Sequence, residues 1–376
     1  MNILQVVPEL NAGGVERTTI EVAQALRAAG HVPHVACAGG RLEDELRAAG
    51  GILHRLEVGS KNPMSLRSNT KALIEIIKTH KIDIIHARSR APAWPAKAAA
   101  KATNITFITT YHGIYNAKSG LKRRYNAVMA KGDIVIANSY FTKDHVRGEH
   151  NIDAANIVVI PRGVDMSLFD PALVAAKDIA AIRREWGVGD NPIILLPGRL
   201  TRWKGQLVAV EALKLLGGKA ILVLLGDAQG RDDYVAEIKT KADALGVGER
   251  VILAGHSRSM PTALMAADVV VSASTDPEAF GRVMAEAQAM TRLVVASDHG
   301  GARETILDGA GGYLVAPNDS KALAEGVAKV LALPKSKYTA RAKVARKRIG
   351  EEYSAATLKS ATLAVYDRAL ENHGGK

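Results

Sequence analysis

Short apolar runs rich in Val, Ile and Leu alternate along this chain with longer stretches whose apolar positions recur every third or fourth residue. Residues 2–7 form the first run. Val15 to Ala29 follow as a helix with Ile20, Ala23 and Leu26 on one face and Gly30 as its stop. The same reading predicts strands at 32–37, 52–56, 83–86, 106–110, 133–137 and 156–160, with helices between them such as 65–80 and 91–102. The alternation pauses at 161–171, PRGVDMSLFDP, which reads as a hinge or linker. It then resumes with strands at 192–197, 220–225, 250–254, 269–272, 293–296 and 312–315 and helices at 205–216, 232–245, 260–266, 281–290 and 320–331. Two helices with basic faces, near 337–351 and 355–371, close the chain.

This pattern predicts an α/β protein of two tandem Rossmann-like, doubly wound domains, each a parallel sheet covered on both faces. The expected limits are 1–165 and 166–355, with a last helix, about 356–376, packing back on the first domain.

Composition narrows the function. Aromatic residues are 4% of the chain, too few for the stacking platforms of single-strand nucleic-acid binding. No nucleic-acid motif is present either. Cys37 is the only cysteine, which excludes an internal disulfide and a cysteine zinc site. The first residues, MNILQVVPEL, lack a cationic start, and no apolar run is long enough to span a bilayer. A cytoplasmic protein is expected, with peripheral attachment to the inner face of the membrane left open. The net charge of +12 fits a solubility charge or an anionic partner. Two acid-free runs favour the partner: Lys118, Lys122, Arg123, Arg124 and Lys131, and then Lys335, Lys337, Arg341, Lys343, Arg346, Lys347 and Arg348.

Candidate chemistry sits at predicted strand ends, where open parallel sheets bind ligands. Gly13 and Gly14 open a helix and suit either an anion on bare N–H groups or an unliganded tight turn. Gly198 and Arg199 end a strand, and Lys204 precedes the next helix. This fork and point charge fit a diphosphate, or are two solvated cations. Glu278 lies in a loop and Glu286 about two turns into a helix, near one face and about 12 Å apart by helical rise. That separation exceeds the roughly 5–9.5 Å of a glycosidase pair and suits one ligand with hydroxyls at two places. The backbone of Phe280, Gly281 and Arg282 between them offers donors. His112 follows a strand and reads either as a hydroxyl contact or as structural. No D-x-D occurs, so no carboxylate-held metal is expected.

Read together, GGVER at 13–17, YHG at 111–113, PRGVD at 161–165, GRLTRWKG at 198–205, LLGD at 224–227 and the E-x7-E from Glu278 to Glu286 resemble family 4 retaining glycosyltransferases of the GT-B fold, end to end. The resemblance implies an interdomain cleft, a nucleotide-diphosphate sugar donor, retention and no cofactor or metal. It implies that Gly13 and Gly14 face the donor and that His112 lies near the reacting carbon. Arg199 and Lys204 would clamp the diphosphate, Glu278 hold the transferred sugar and Glu286 the ribose. Gly198 and Gly226 belong to the same donor-binding set. Residues Arg250 to Gly255 would line the base pocket. Arg162 departs from the asparagine common before GVD and receives no role.

For the acceptor, Leu121, Tyr125, Val128 and Met129 read as the apolar face of a cationic helix, suited to an anionic membrane or to ordinary packing. Arg88 and Arg90 are the candidates for acceptor phosphate or acidic sugar. A cell-envelope glycolipid or lipopolysaccharide-core intermediate is the expected acceptor. A non-hydrolysing nucleotide-sugar epimerase of the same fold, or transfer to a small soluble acceptor, stays open.

Overall fold

The structure, a computed structural model, describes residues 1–11, 13–115, 119–257 and 259–374. The chain divides into two compact units, Met1–Arg162 with Ala355–Lys376, and Gly163–Ser354. In the first, β1 (Asn2–Val6), β2 (Val32–Cys37), β3 (Ile52–Arg55), β4 (Ile84–Ala87), β5 (Thr106–Tyr111), β6 (Ile134–Ala137) and β7 (Ile157–Val159) form a parallel sheet ordered β3-β2-β1-β4-β5-β6-β7. In the second, β8 (Ile193–Pro197), β9 (Ile221–Leu225), β10 (Val251–Gly255), β11 (Val269–Ser272), β12 (Val294–Ser297) and β13 (Gly312–Val315) are parallel in the order β10-β9-β8-β11-β12-β13.

The central strands are apolar without alternation because helices cover both faces. In the second unit, Leu195 and Val223 point to one core with Trp186, Phe280 and Ile349. Their neighbours Leu196 and Leu224 point to the other, with Leu213 and Val327. Each sheet reverses its winding once, between β1 and β4 and between β8 and β11. The crevices beyond Val6 and Ala87, and beyond Pro197 and Ser272, are therefore where ligands are expected.

Segment 161–171, read as a linker, is mostly built into the second unit. Val164 and Phe169 are buried in its core, Val164 N–H donates to Tyr353 O at 2.8 Å, and Arg346 donates to Phe169 O at 2.8 Å. Short apolar residues spaced among the turn formers explain the difference.

The last helix, Ala355–Gly374, packs Leu358, Val365, Tyr366 and Ala369 against Ile3, Ile84 and Ile108 of the first unit. Tyr366 Oη meets the wholly buried His86 at Nδ1, 2.7 Å away, and His86 Nε2 meets Thr110 Oγ1 at 2.7 Å. The Arg88 guanidinium lies close enough to Tyr366 for its charge to favour the phenolate form. Burial, then the Arg88 charge, push the His86 imidazole well below its usual range, so it stays neutral.

A second histidine cluster lies toward the β3 edge of the sheet. His34 of β2, His54 of β3 and His80 after the helix Pro63–Thr79 hold their ring centroids 4.8–5.3 Å apart. Burial, then the neighbouring imidazoles, lower His34 from 6.5 to about 4. A depressed imidazole leaves stability intact above about 6.5, and stability falls as pH drops toward 4 because only the unfolded chain takes the proton readily. At ~1.4 kcal/mol per pH unit the loss reaches about 3 kcal/mol. Thermal midpoints recorded from pH 7.5 to 4.5 should fall more steeply for the wild type than for His34→Leu. Parallel curves would remove His34 as the cause.

Candidate active site

In the second unit the turn after β8 is pressed against the residues after β11. Gly205 has φ +72° and caps the helix Gln206–Leu216, and a Cβ there would lie 1.8 Å from Ala273 O. Gly226, just beyond β9, is as tight: its Cβ would lie 1.9 Å from Gly198 O. Buried Gln206 holds the turn from within by donating to Arg199 O at 3.0 Å. The Arg199 side chain itself is exposed.

This close approach delivers Lys204 to Glu278. Lys204 Nζ lies 2.8 Å from Glu278 Oε1 and 4.5 Å from the centroid of the Trp203 ring. The same carboxylate oxygen accepts from Ser274 Oγ at 2.5 Å and from Ser272 Oγ at 3.2 Å. Burial pushes the Glu278 carboxyl upward, but Lys204 and the two hydroxyls outweigh it and hold the group below its usual range. Glu278 is therefore an anion poised to accept hydrogen bonds. The loop that carries it is fixed by Gly301 N–H donating to Glu278 O at 2.7 Å and by His299 Nε2, 2.9 Å from Ser274 O.

Glu286 is held apart from this group. The helix Arg282–Ala289 starts after Gly281, whose φ of +77° closes the preceding loop. Glu278 thus lies outside the helix and Glu286 about one turn inside it. The helical estimate of their spacing does not apply. Arg282 Nε donates to Glu286 Oε1 at 2.7 Å. Burial raises the Glu286 carboxyl, with Arg282 opposing. Phe280 is a core residue, its ring 5.7 Å from that of Tyr353. Gly255 ends β10. Arg250 is overturned as a base-pocket residue. It precedes β10 and donates to the carbonyls of Gly217 and Gly218, at the opposite strand end.

In the first unit Gly14 opens the helix Gly14–Ala28, with Gly13 before it. Over Gly14 lies the Arg162 guanidinium: a Cβ on Gly14 would fall 2.1 Å from its Nη1, and Nη2 donates to His112 O at 3.2 Å. Arg162, left without a role on sequence, therefore links two of the predicted positions. Burial, then Arg162 and Arg88, push the His112 imidazole well below its usual range. Arg88 is 3% exposed and donates from Nε to Gln5 Oε1 at 2.7 Å. Arg90 points elsewhere, donating to Asn126 Oδ1 at 2.9 Å with its guanidinium 4.3 Å from the Tyr115 ring centroid. The two arginines do not form one acceptor pair.

The cationic helix is also revised. It runs only over Gly120–Asn126, and a tighter turn, Ala127–Ala130, buries Val128 and Met129 in the core. Tyr125 lies 6.2 Å from Trp94, ring to ring, leaving Leu121, 83% exposed, as the one outward apolar residue of the four. Lys118 lies outside the described residues. In the second basic run, Arg341, Arg346 and Arg348 bind Tyr313, Phe169 and Glu304 of their own unit. Among the described residues, no group of three or more His, Cys, Asp or Glu is placed to hold a metal, and no helix is long and apolar enough to cross a membrane.

Ser272, Ser274, Trp203 and His299 were not picked out on sequence, and Arg162 was named without a role. The serines carried a usable signal, since they sit at the carboxyl end of a switch-point strand.

Two family models match in tandem: Glycosyltransferase Family 4 over residues 12–168 and Glycosyl transferases group 1 over residues 178–348. A D-inositol 3-phosphate glycosyltransferase of Xylanimonas cellulosilytica is 35% identical over 250 residues, 65% of this chain and 59% of that relative's length. A crystal structure of a glycosyltransferase from Rickettsia africae is 38% identical, covers 99% of both chains and has a TM-score of 0.91. The Anabaena protein HepE, crystallised in complex with UDP, is 26% identical, with 98% of this chain and 100% of that one covered and a TM-score of 0.86.

Proposed function

This chain belongs to glycosyltransferase family 4, and from that premise we propose that it moves a hexose-type sugar from a nucleoside-diphosphate sugar to a glycan or glycolipid acceptor with net retention. The observation that carries the reading is the Lys204–Glu278 pair at the β8/β11 switch point. There a cation meant for a growing diphosphate charge is stored on an anion meant for sugar hydroxyls. When donor binds, Lys204 exchanges the carboxylate for the diphosphate and Glu278 accepts from the sugar. Arg199 adds a second positive charge from the exposed turn, and Glu286, kept protonated more readily by burial, contacts the ribose. As the glycosidic bond ionises, negative charge collects on the leaving diphosphate, where fixed cations act most strongly. No metal is assigned to this step; Lys204 and Arg199 neutralise the charge. His112, neutral, contacts the sugar near the reacting carbon.

A thermal-shift panel of UDP-, GDP- and ADP-sugars tests the donor assignment, because a bound ligand raises apparent stability by mass action. One nucleotide series should stabilise the protein, equally with and without EDTA. No shift with any series would refute the donor site, and a shift lost in EDTA would refute metal independence. Release of free sugar isomers without acceptor would identify an epimerase instead.

The acceptor we assign is a cell-envelope glycolipid of the lipopolysaccharide-core kind, approached on the cytoplasmic side of the membrane. Exposed Leu121 with Lys122 and Arg124 supports peripheral attachment, at about 1 kcal/mol per cation near an anionic surface. Co-sedimentation with phosphatidylserine vesicles at low salt, lost at high salt, is the expected result. Recovery in the supernatant at both salt levels would exclude attachment.

A further inference from the structure

The first unit contains a small cavity whose wall includes Arg88, a residue with no part in the donor reading. It is enclosed by Arg88, His112, Thr110, Thr18, Asn138 and Arg162 among others, and its volume is about 20 Å³. A water-sized centre needs roughly 10–15 Å³, so the cavity takes an oxygen atom or two and no sugar ring. We propose that the acceptor carries an anionic group, a carboxylate or a phosphate, and that one of its oxygens is received by Arg88 in this cavity. The inference rests on the reading of the chain as a transferase and names the chemistry of its acceptor.

Three observations converge. Arg88 is 3% exposed, yet its Nη2 is buried without a hydrogen-bond partner. It donates to Gln5 and lies beside Tyr366, both neutral. A guanidinium buried without a paired carboxylate favours an incoming anion. Glu21 attracts it from a distance but does not line the cavity. Both ring nitrogens of His112, on the same wall, are also buried without partners. Finally, the cavity walls carry two guanidinium groups and two imidazoles and no acidic side chain. Burial and those same arginines disfavour a charge on His112, so its ring remains neutral and Arg88 is left to meet the anion's charge.

The geometry also says how the anion is recognised. Arg88 is held through Nε by Gln5 and is almost wholly buried, so its guanidinium has little freedom and Nη2 needs little reorganisation to meet an oxygen. A neutral hydroxyl or a water molecule would satisfy the hydrogen bond but not the charge. Discrimination between acidic and neutral acceptors follows from that difference.

The experiment uses the full chain saturated with the nucleoside diphosphate chosen by the donor panel, so that phosphate cannot occupy the nucleotide site. Calorimetry then measures binding of glucose, glucuronate, glucose 6-phosphate and inorganic phosphate. At least one of the two acidic sugars should bind tenfold or more tightly than glucose. Arg88→Met should abolish that preference and Arg88→Lys restore part of it, with nucleotide affinity unchanged in both. Preference for glucuronate identifies a carboxylate, and preference for glucose 6-phosphate a phosphate. Inorganic phosphate binding as tightly as glucose 6-phosphate, with no preference between the sugars, would make the cavity a free-anion site and overturn the acceptor assignment. Equal binding of all sugars, or no binding by any, overturns it too. So does a preference that survives Arg88→Met. Should Arg88→Met fail to fold, the wild-type comparison decides alone. Failure of every nucleotide to bind would instead strike the transferase reading.

Discussion

Lys204→Ala should lower turnover by about 10²–10³-fold, the usual consequence of removing one fixed charge aimed at a developing anion. Sequence alone suggests an otherwise intact protein, but the structure adds a second effect. Lys204 is the main counterweight to the burial of Glu278, and both side chains are about 15% exposed. Removing one partner of a largely buried pair leaves the other charge uncompensated, at about 2–3 kcal/mol here given the partial exposure. The Glu278 carboxyl should then rise above its usual range. Its contribution then reverses sign, so the variant becomes less stable as pH increases through that range. Adding Glu278→Gln should recover the stability without the turnover. Nucleoside diphosphate release and urea unfolding separate the two effects, and near-normal turnover in Lys204→Ala would remove the assigned role.

Gly205→Ala should be among the most damaging single-methyl additions to this chain. The left-handed backbone alone disfavours a Cβ by ~1–2 kcal/mol. The larger part is steric, because the methyl would sit 1.8 Å from Ala273 O, a backbone atom that cannot rotate away. Relief requires the turn after β8 to retreat from the residues after β11, which carries Lys204 away from Glu278. A loss of about 3 kcal/mol or more is expected, with nucleotide affinity falling in parallel. Gly187→Ala, at φ +65° in the left-handed turn that ends the helix Ala176–Glu185 and with nothing within 4 Å, is the control and should show only the backbone part. Equal losses at both positions would mean that contact with Ala273 is unimportant.

Both sheets were legible because their strands are short β-branched runs and their helices keep a clear period. Residues 32–37, 269–272 and 312–315 were bounded as the structure has them. The helices Tyr140–His150 and Ala176–Glu185 were not singled out, since their apolar faces are thin. At the site, glycines and charges at strand ends were readable, because a switch point selects few positions. Partners were not. Nothing in the spacing says that Lys204 rests on Glu278, that Arg162 crosses over Gly14 or that Arg250 turns to the far end of its strand. Those facts depend on side-chain direction between segments far apart in sequence. The membrane helix misled for a related reason: Val128 and Met129 keep helical spacing with Leu121, but the chain tightens after Asn126 and turns them inward.

The return of Ala355–Gly374 to the first unit has a consequence for biosynthesis. Residues 163–354 form an uninterrupted unit, whereas the amino-terminal unit lacks Leu358, Val365 and Tyr366 until the ribosome has made everything between. The half translated first must wait with Ile3, Ile84 and Ile108 partly uncovered and His86 missing its phenolic partner. The later half is therefore the one whose core can be completed without residues from elsewhere in the chain.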